Sequence, residues 1–176
     1  ALPSMNSNLF PNLWRFLLLV AVQVLFLKQV AVTAGAYFNV LLYPLFVLLL
    51  PIRLGVPYLV VLGFVLGMTV DYFYVSYGLH ASAAAFSGFA RGFVFKIFEP
   101  KGGFTGKEPV FSPQYFGWSV FAQAASLFFF VYIFWYFSVD YFTFYYFNDI
   151  ALKTLASWGL TMIFVVFYGF LFNPKI

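Results

Sequence analysis

The chain has no cysteine, a single histidine, and charge on only 8% of its residues. The first absence excludes a disulfide framework, thiolate metal sites and a cysteine nucleophile. One imidazole, His80, cannot build a multi-histidine metal site alone. Soluble domains carry roughly 25% charged residues. With 64% of its residues hydrophobic, this chain could not cover its own core in water. The formal charge of +4 is too diffuse to indicate nucleic-acid binding. No G-x-S-x-G, Walker loop or H-E-x-x-H is present, so no enzyme, cofactor or metal site is expected. Internal repeats, low-complexity tracts and flexible linkers are missing too. So is the transporter pattern of two matched halves with interrupted spans.

What is present is a series of long apolar runs. At about 20 to 25 residues per span plus a short loop, the chain has room for roughly six helices and no separate soluble domain. The runs fall at about 12–31, 37–52, 57–76, 80–98, 114–138 and 149–172. Pro and Gly punctuate most of the breaks. The expected fold is an all-α bundle of six transmembrane helices in one polytopic domain. The second run is short and contains Pro44, which predicts a kink or tilt. The first run has a rival reading as a signal peptide, with Arg15 before an apolar core and small residues after it. Five more spans follow, so an uncleaved first span is simpler. Met5 is a candidate natural start, with Ala1 to Ser4 an added remnant.

A cytoplasmic N-terminus places Arg15, Arg53, Arg91, Lys96, Lys101, Lys107 and Lys175 at or near the inner side. Only Lys28 and Lys153 then fall outside. The positive-inside rule favours this orientation, and an even number of spans returns the C-terminus to the cytoplasm.

The stretch "GFVLGMTVDYFYVSYGLHA", residues 63–81, carries an acid inside a segment otherwise suited to lipid. Gly63, Gly67 and Asp71 are four apart and form one helical stripe. Two glycines at that spacing let another helix approach closely, which puts Asp71 on a face that meets protein. The fourth run offers a matching stripe, Ala84, Gly88 and Gly92, with Ser87 leading to Arg91. These two helices are expected to touch. Asp71 and Arg91 are separated by about 8 Å along the membrane normal, so a pair is within reach of a long Arg side chain but not comfortable. Arg91 otherwise snorkels to the inner headgroups, and Asp71 otherwise reaches outer interfacial water. Asp71→Ala is expected to weaken assembly or function while the protein still inserts.

His80, after Gly78, reads as a polar residue at the outer interface, with a pH sensor or ligand contact as the sharper alternative. Between the fifth and sixth runs lies an outer loop with Tyr141, Phe142, Phe144, Tyr145, Tyr146 and Phe147. It reads as an interfacial aromatic belt and, compatibly, as a docking surface for a partner's helix or periplasmic part. Asp140 and Asp149 flank it as solvated acids, Asp149 being a candidate cap for the sixth helix.

The third and fourth runs, "LLLPIRLGVPYLVVLGFVLGMTVDYFYVSYGLHASAAAFSGFARGFVFKIF", resemble the rod-shape-determining protein MreD family of bacteria. The likeness lies in G-x-x-x-G-x-x-x-D (Gly63, Gly67, Asp71), the Gly-apolar-basic-Ala turn at Gly78-Leu79-His80-Ala81, and a small-residue-rich helix after it. It covers about a third of the chain; the remainder agrees in hydropathy. The family's turn often carries Arg where His80 stands. The resemblance implies a six-helix bundle similar to the substrate-binding components of energy-coupling-factor vitamin transporters. It also implies the bacterial inner membrane, no enzymatic activity, and a place in the cell-wall elongation machinery. There the implied partner is MreC, and through it MreB, the RodA glycosyltransferase and a penicillin-binding transpeptidase.

The reading that follows is a non-enzymatic scaffold that docks the MreC transmembrane helix and helps regulate peptidoglycan synthesis. Its candidate interface comprises Gly63, Gly67, Asp71, Gly78, His80, Ala84, Gly88, Arg91 and Gly92, with the outer aromatics beside it and lipid around. The runner-up is a small-molecule, vitamin-like binder of a transporter. A third class, an enzyme or flippase for lipid-linked precursors, would need several intramembrane charges along a path, and only Asp71 and Arg91 are candidates.

Overall fold

The computed structural model describes residues 6–34, 38–100, 102–104, 110–143 and 145–172. Lys101, Lys107, Phe144 and Lys175 lie outside them. The described residues are helical, with no strand and one isolated bridge, Pro51 to Val110.

A first helical stretch runs through α1 (Asn6–Val22), a π turn (Gln23–Leu27) and α2 (Lys28–Ala34). After residues 38–52 come α4 (Val56–Tyr74) and α5 (Leu79–Ile97). The last two helices are α6 (Pro113–Tyr141) and α7 (Phe147–Phe172). Among the described residues four helices are long and apolar enough to cross a membrane: Pro11–Val30, Val56–Tyr74, Pro113–Tyr141 and Phe147–Leu171. This is the pattern of a multi-pass membrane protein. α5 has 19 residues like α4, about 28 Å at 1.5 Å per residue. His80, Ser87 and Arg91 make it more polar, and all three are buried.

Residues 38–52, the described part of the second apolar run, do not form the helix expected of a second span. Residues 38–42 have no regular secondary structure, Tyr43 and Pro44 make a turn, and α3 is a single turn, Leu45–Leu48. Pro44 has no N–H and its fixed φ suits the start of a helix rather than its middle; here φ is −63° and the residue caps α3. Residues 40–50 are nevertheless all buried. Non-helical backbone at membrane depth is tolerated only where protein surrounds it and supplies hydrogen bonds.

α4 and α5 form one antiparallel hairpin and α6 and α7 another, with α5 packed on α6. α1 and the π turn lie against α3 and α4. α6 contributes Phe121, Ala124, Ala125, Phe128, Phe129, Tyr132, Ile133 and Tyr136 to the core. That spacing of three and four is one helical face. Gly117, at φ +81°, breaks α6 after its first turn, a conformation glycine adopts without strain. Asp149 lies within the first turn of α7 rather than before it. There a negative charge favours the helix dipole without acting as the cap residue.

Candidate functional site

The glycine stripes bring α4 and α5 into close contact. A Cβ on Gly63 would meet the Ala84 carbonyl, its carbon at 2.9 Å. One on Gly67 would strike Ala81 Cα and the His80 carbonyl oxygen, with Ala81 N at 2.6 Å. From the other side, a Cβ on Gly88 would fall 2.6 Å from the Leu59 oxygen. Backbone therefore rests on backbone along this hairpin. Gly92 differs, since a Cβ there meets only Val56 Cγ2 at 3.7 Å, an ordinary contact.

That approach delivers Asp71 to the beginning of α5. The helix starts after Gly78, which is left-handed (φ +92°) and has no side chain to cap with. Its first amides need acceptors. Asp71 supplies them from the last turn of α4. Oδ1 accepts from the His80 amide at 3.0 Å and Oδ2 from the Ala81 amide at 2.8 Å. A cap side chain would take the same two positions. Oδ1 also accepts from Ser76 Oγ at 2.6 Å and lies 3.1 Å from His80 Nδ1. Asp71 is thus a cap reaching across from the neighbouring helix, and the positive end of the α5 dipole favours its charge.

Arg91 is about three turns further along α5 and does not meet Asp71. It is 1% exposed. Its Nη2 donates to the Leu50 oxygen and, at 3.3 Å, to that of Pro51. The guanidinium lies 4.5 Å from the Phe95 ring centroid. Arg15 does the same from α1, donating to the Leu49 oxygen at 3.1 Å. Two arginines thus hold three successive carbonyls after α3.

The other end of this central segment is held by amide and hydroxyl side chains. Gln23 opens the π turn. Its Nε2 donates to the Val40 oxygen at 2.8 Å, and its Oε1 accepts from Leu42 N at 2.8 Å and Tyr43 N at 3.4 Å. The Gln23 carbonyl accepts from the Tyr74 hydroxyl at 3.2 Å. On the opposite side Asn39 N donates to Ser157 Oγ at 3.0 Å and Leu41 N to Thr161 Oγ1 at 3.2 Å. The π turn after α1 and the helix α7 thus share the polar backbone groups of this segment between them. Gln23→Leu would leave Val40 and Leu42 with buried unpaired groups, each costing about 1–3 kcal/mol. The expected result is at least about tenfold faster hydrogen exchange at Leu42 and Tyr43, measured by mass spectrometry in detergent, with unchanged rates in α6.

His80 is 1% exposed, inside the bundle rather than at an interface. Its ring centroid lies 4.8 Å from that of Tyr74, 5.1 Å from Tyr136 and 5.9 Å from Tyr43. The Tyr43 hydroxyl is hydrogen-bonded to that of Tyr132. Asp71, Ser76 and His80 share the composition of a hydrolase triad but not its wiring. In a triad the serine and the carboxylate sit on opposite ring nitrogens; here both are on Nδ1, with Ser76 Oγ at 2.8 Å. The arrangement orders a turn and does not activate a nucleophile.

The aromatics beyond α6 face outward. Phe142 and Tyr145 are almost fully exposed, Tyr146 and Phe147 about half, and Tyr141 is partly buried against Tyr146. Tyr72, in the last turn of α4, and Tyr77, from the α4–α5 turn, are exposed as well.

Gln23, Tyr43, Tyr132, Ser157 and Thr161 were not anticipated. One signal was available: Ile150, Thr154, Ser157, Thr161, Val165 and Tyr168 recur every three or four residues along α7, all buried, which marks a face turned to protein. Gln23 inside an apolar run was the other. Among the described residues no group of three His, Cys, Asp or Glu is placed to hold a metal. Comparisons with protein-family models, curated proteins and solved structures gave no match.

Proposed function

We propose that the chain is a non-enzymatic scaffold of the MreD type in a bacterial inner membrane, with both termini cytoplasmic. In this reading it docks the single transmembrane helix of MreC and through it joins the elongation machinery. The observation that carries the reading is the use made of the intramembrane charges. Asp71 is bound to backbone amides, and Arg15 and Arg91 to backbone carbonyls. Charge used in this way fixes architecture, which suits a scaffold better than a path for a substrate. The residues that carry the resemblance are the ones that build the α4–α5 joint.

One part of the mechanism changes. The Gly63, Gly67 and Gly88 stripes are filled by each other's backbones, so they shape the partner's platform and do not receive its helix. The docking surface falls instead on outward side chains. Val61, Val65, Met68 and Tyr72 line one exposed face of α4, and Tyr77, Phe142 and Tyr145 stand at its hairpin end. Aromatic side chains are enriched at such interfaces.

Affinity purification in mild detergent, followed by mass spectrometry, tests the proposal. A scaffold brings an MreC-type single-span protein with it, and Met68→Arg with Tyr72→Arg releases that protein while the bundle stays folded. Retention of a small molecule together with transporter coupling subunits, and no single-span partner, would overturn it in favour of the vitamin-binder reading.

A further inference from the structure

The turn between α4 and α5 holds its backbone in a conformation that its side chains disfavour. Val75, at φ +56°, and Tyr77, at φ +42°, are left-handed, like Gly78 after them. For a β-branched or bulky residue this is an outlier, and such strain persists only where the surroundings over-determine it. Asp71 does so here. Its carbonyl accepts from Ser76 N at 3.3 Å and its carboxylate from Ser76 Oγ at 2.6 Å, while the Ser76 carbonyl accepts from Leu79 N at 3.0 Å. The braced turn holds Tyr77 98% exposed.

Two grooves meet at Tyr77 and Gly78. One is completed by Met68, Asp71, Tyr72 and Val75, the other by Ser76, Leu79, Val139 and Asp140. Each combines apolar walls with one carboxylate, and among the described residues neither is lined by a lysine or arginine. The two lysines at this end are engaged elsewhere. Lys28 Nζ donates to the Phe73 carbonyl at 2.9 Å, and Lys153 Nζ lies 4.9 Å from the centre of the Tyr141 ring. Neither forms a salt bridge with Asp71 or Asp140. Asp71 already accepts from two amides and the Ser76 hydroxyl. Asp140 is exposed and stands in the last turn of α6, where a negative charge opposes the helix dipole. The fold itself therefore gains nothing from an acid at that position.

The complement of this patch is a cation on an apolar stem. A lysine or arginine fits, because its stem covers apolar surface while its head reaches the charge, and a tyrosine face attracts the head further. An amine-bearing phospholipid does not, since its phosphate would lie beside two carboxylates with no basic side chain to balance it. A metal ion lacks a third ligand, because no group of three His, Cys, Asp or Glu is present among the described residues.

We propose that the partner docked on α4 carries a lysine or arginine at the flank of its span and seats it against Tyr77, with Asp140 as its counter-ion. This inference rests on the docking surface described under the proposed function and names the residue chemistry that anchors the partner there. In that orientation the flank is the outer one, where basic residues are uncommon, so the requirement is selective among single-span proteins.

Photo-cross-linking in the native membrane tests it, with p-benzoylphenylalanine in place of Tyr77 in the full-length chain. The captured peptide should come from a single-span protein and carry a lysine or arginine within about one helical turn of the cross-link. Asp140→Asn should lower the yield about two- to fivefold, the range of an exposed ion pair. Asp140→Lys should lower it further, and changing the captured basic residue to Glu should recover capture by the Asp140→Lys chain. Asp140 takes no part in the Asp71 cap, so thermal unfolding of these variants should match that of the unaltered chain. A captured single-span protein with no basic residue at that place, or yields indifferent to the charge at position 140, would overturn this inference and leave the scaffold reading standing. Cross-links to lipid or to this chain alone would overturn the docking surface as well.

Discussion

Gly67→Ala is expected to open the α4–α5 hairpin. The new methyl would overlap Ala81 Cα and the His80 carbonyl oxygen and come within 2.6 Å of Ala81 N. All three are backbone atoms, so no rotamer change relieves the contact. The helices must separate, and the Asp71 bonds to the amides of His80 and Ala81, at 3.0 Å and 2.8 Å, lengthen with them. Overpacking costs about 1–3 kcal/mol, and loss of a helix cap adds about 1 kcal/mol. The two effects share one displacement and will not simply add. Thermal unfolding followed by circular dichroism in detergent should show a clear loss of stability. Gly92→Ala is the matched control, because its methyl meets only Val56 Cγ2 at 3.7 Å, and it should show no loss, with helix propensity adding up to about 1 kcal/mol. Equal losses in the two variants would mean that the backbone contact at Gly67 does not set stability here.

Asp71→Ala should have the second large effect, with the protein still inserting. The substitution removes the acceptor of two backbone amides and of the Ser76 hydroxyl and His80 Nδ1–H. Each buried donor left without a partner costs about 1–3 kcal/mol, less where water enters through the groove lined by Met68, Tyr72, Val75, Tyr77 and Gly78. Insertion depends on the apolar spans and should survive, since removing a carboxylate from a membrane helix eases transfer into lipid. The defect belongs to the folded bundle. The measurement is proteolysis at the 75–78 turn together with complex recovery in mild detergent. Faster cleavage with lower recovery is the expected result. Unchanged cleavage would show that the Asp71 cap is dispensable.

The two variants separate roles that the sequence alone merges. The G-x-x-x-G-x-x-x-D stripe reads as a single packing motif. In the structure the glycines set the distance and the aspartate uses it.

The sequence by itself determined that this chain belongs in a membrane, that Gly63 and Gly67 face a small-residue stripe containing Ala84 and Gly88, and that Asp71 turns toward protein. Those conclusions follow from local quantities: apolar run length, spacing along a helix, and the cost of charge in lipid. Tertiary structure decided what holds Asp71, which is the start of α5 and not Arg91. It also decided that residues 38–52 cross the interior with only one turn of helix, and that His80 is enclosed by tyrosines. Hydropathy reports burial but not backbone conformation. The partners of that central backbone, Gln23, Arg15, Arg91, Ser157 and Thr161, lie from 17 to 120 residues away in the chain, beyond the reach of any local pattern.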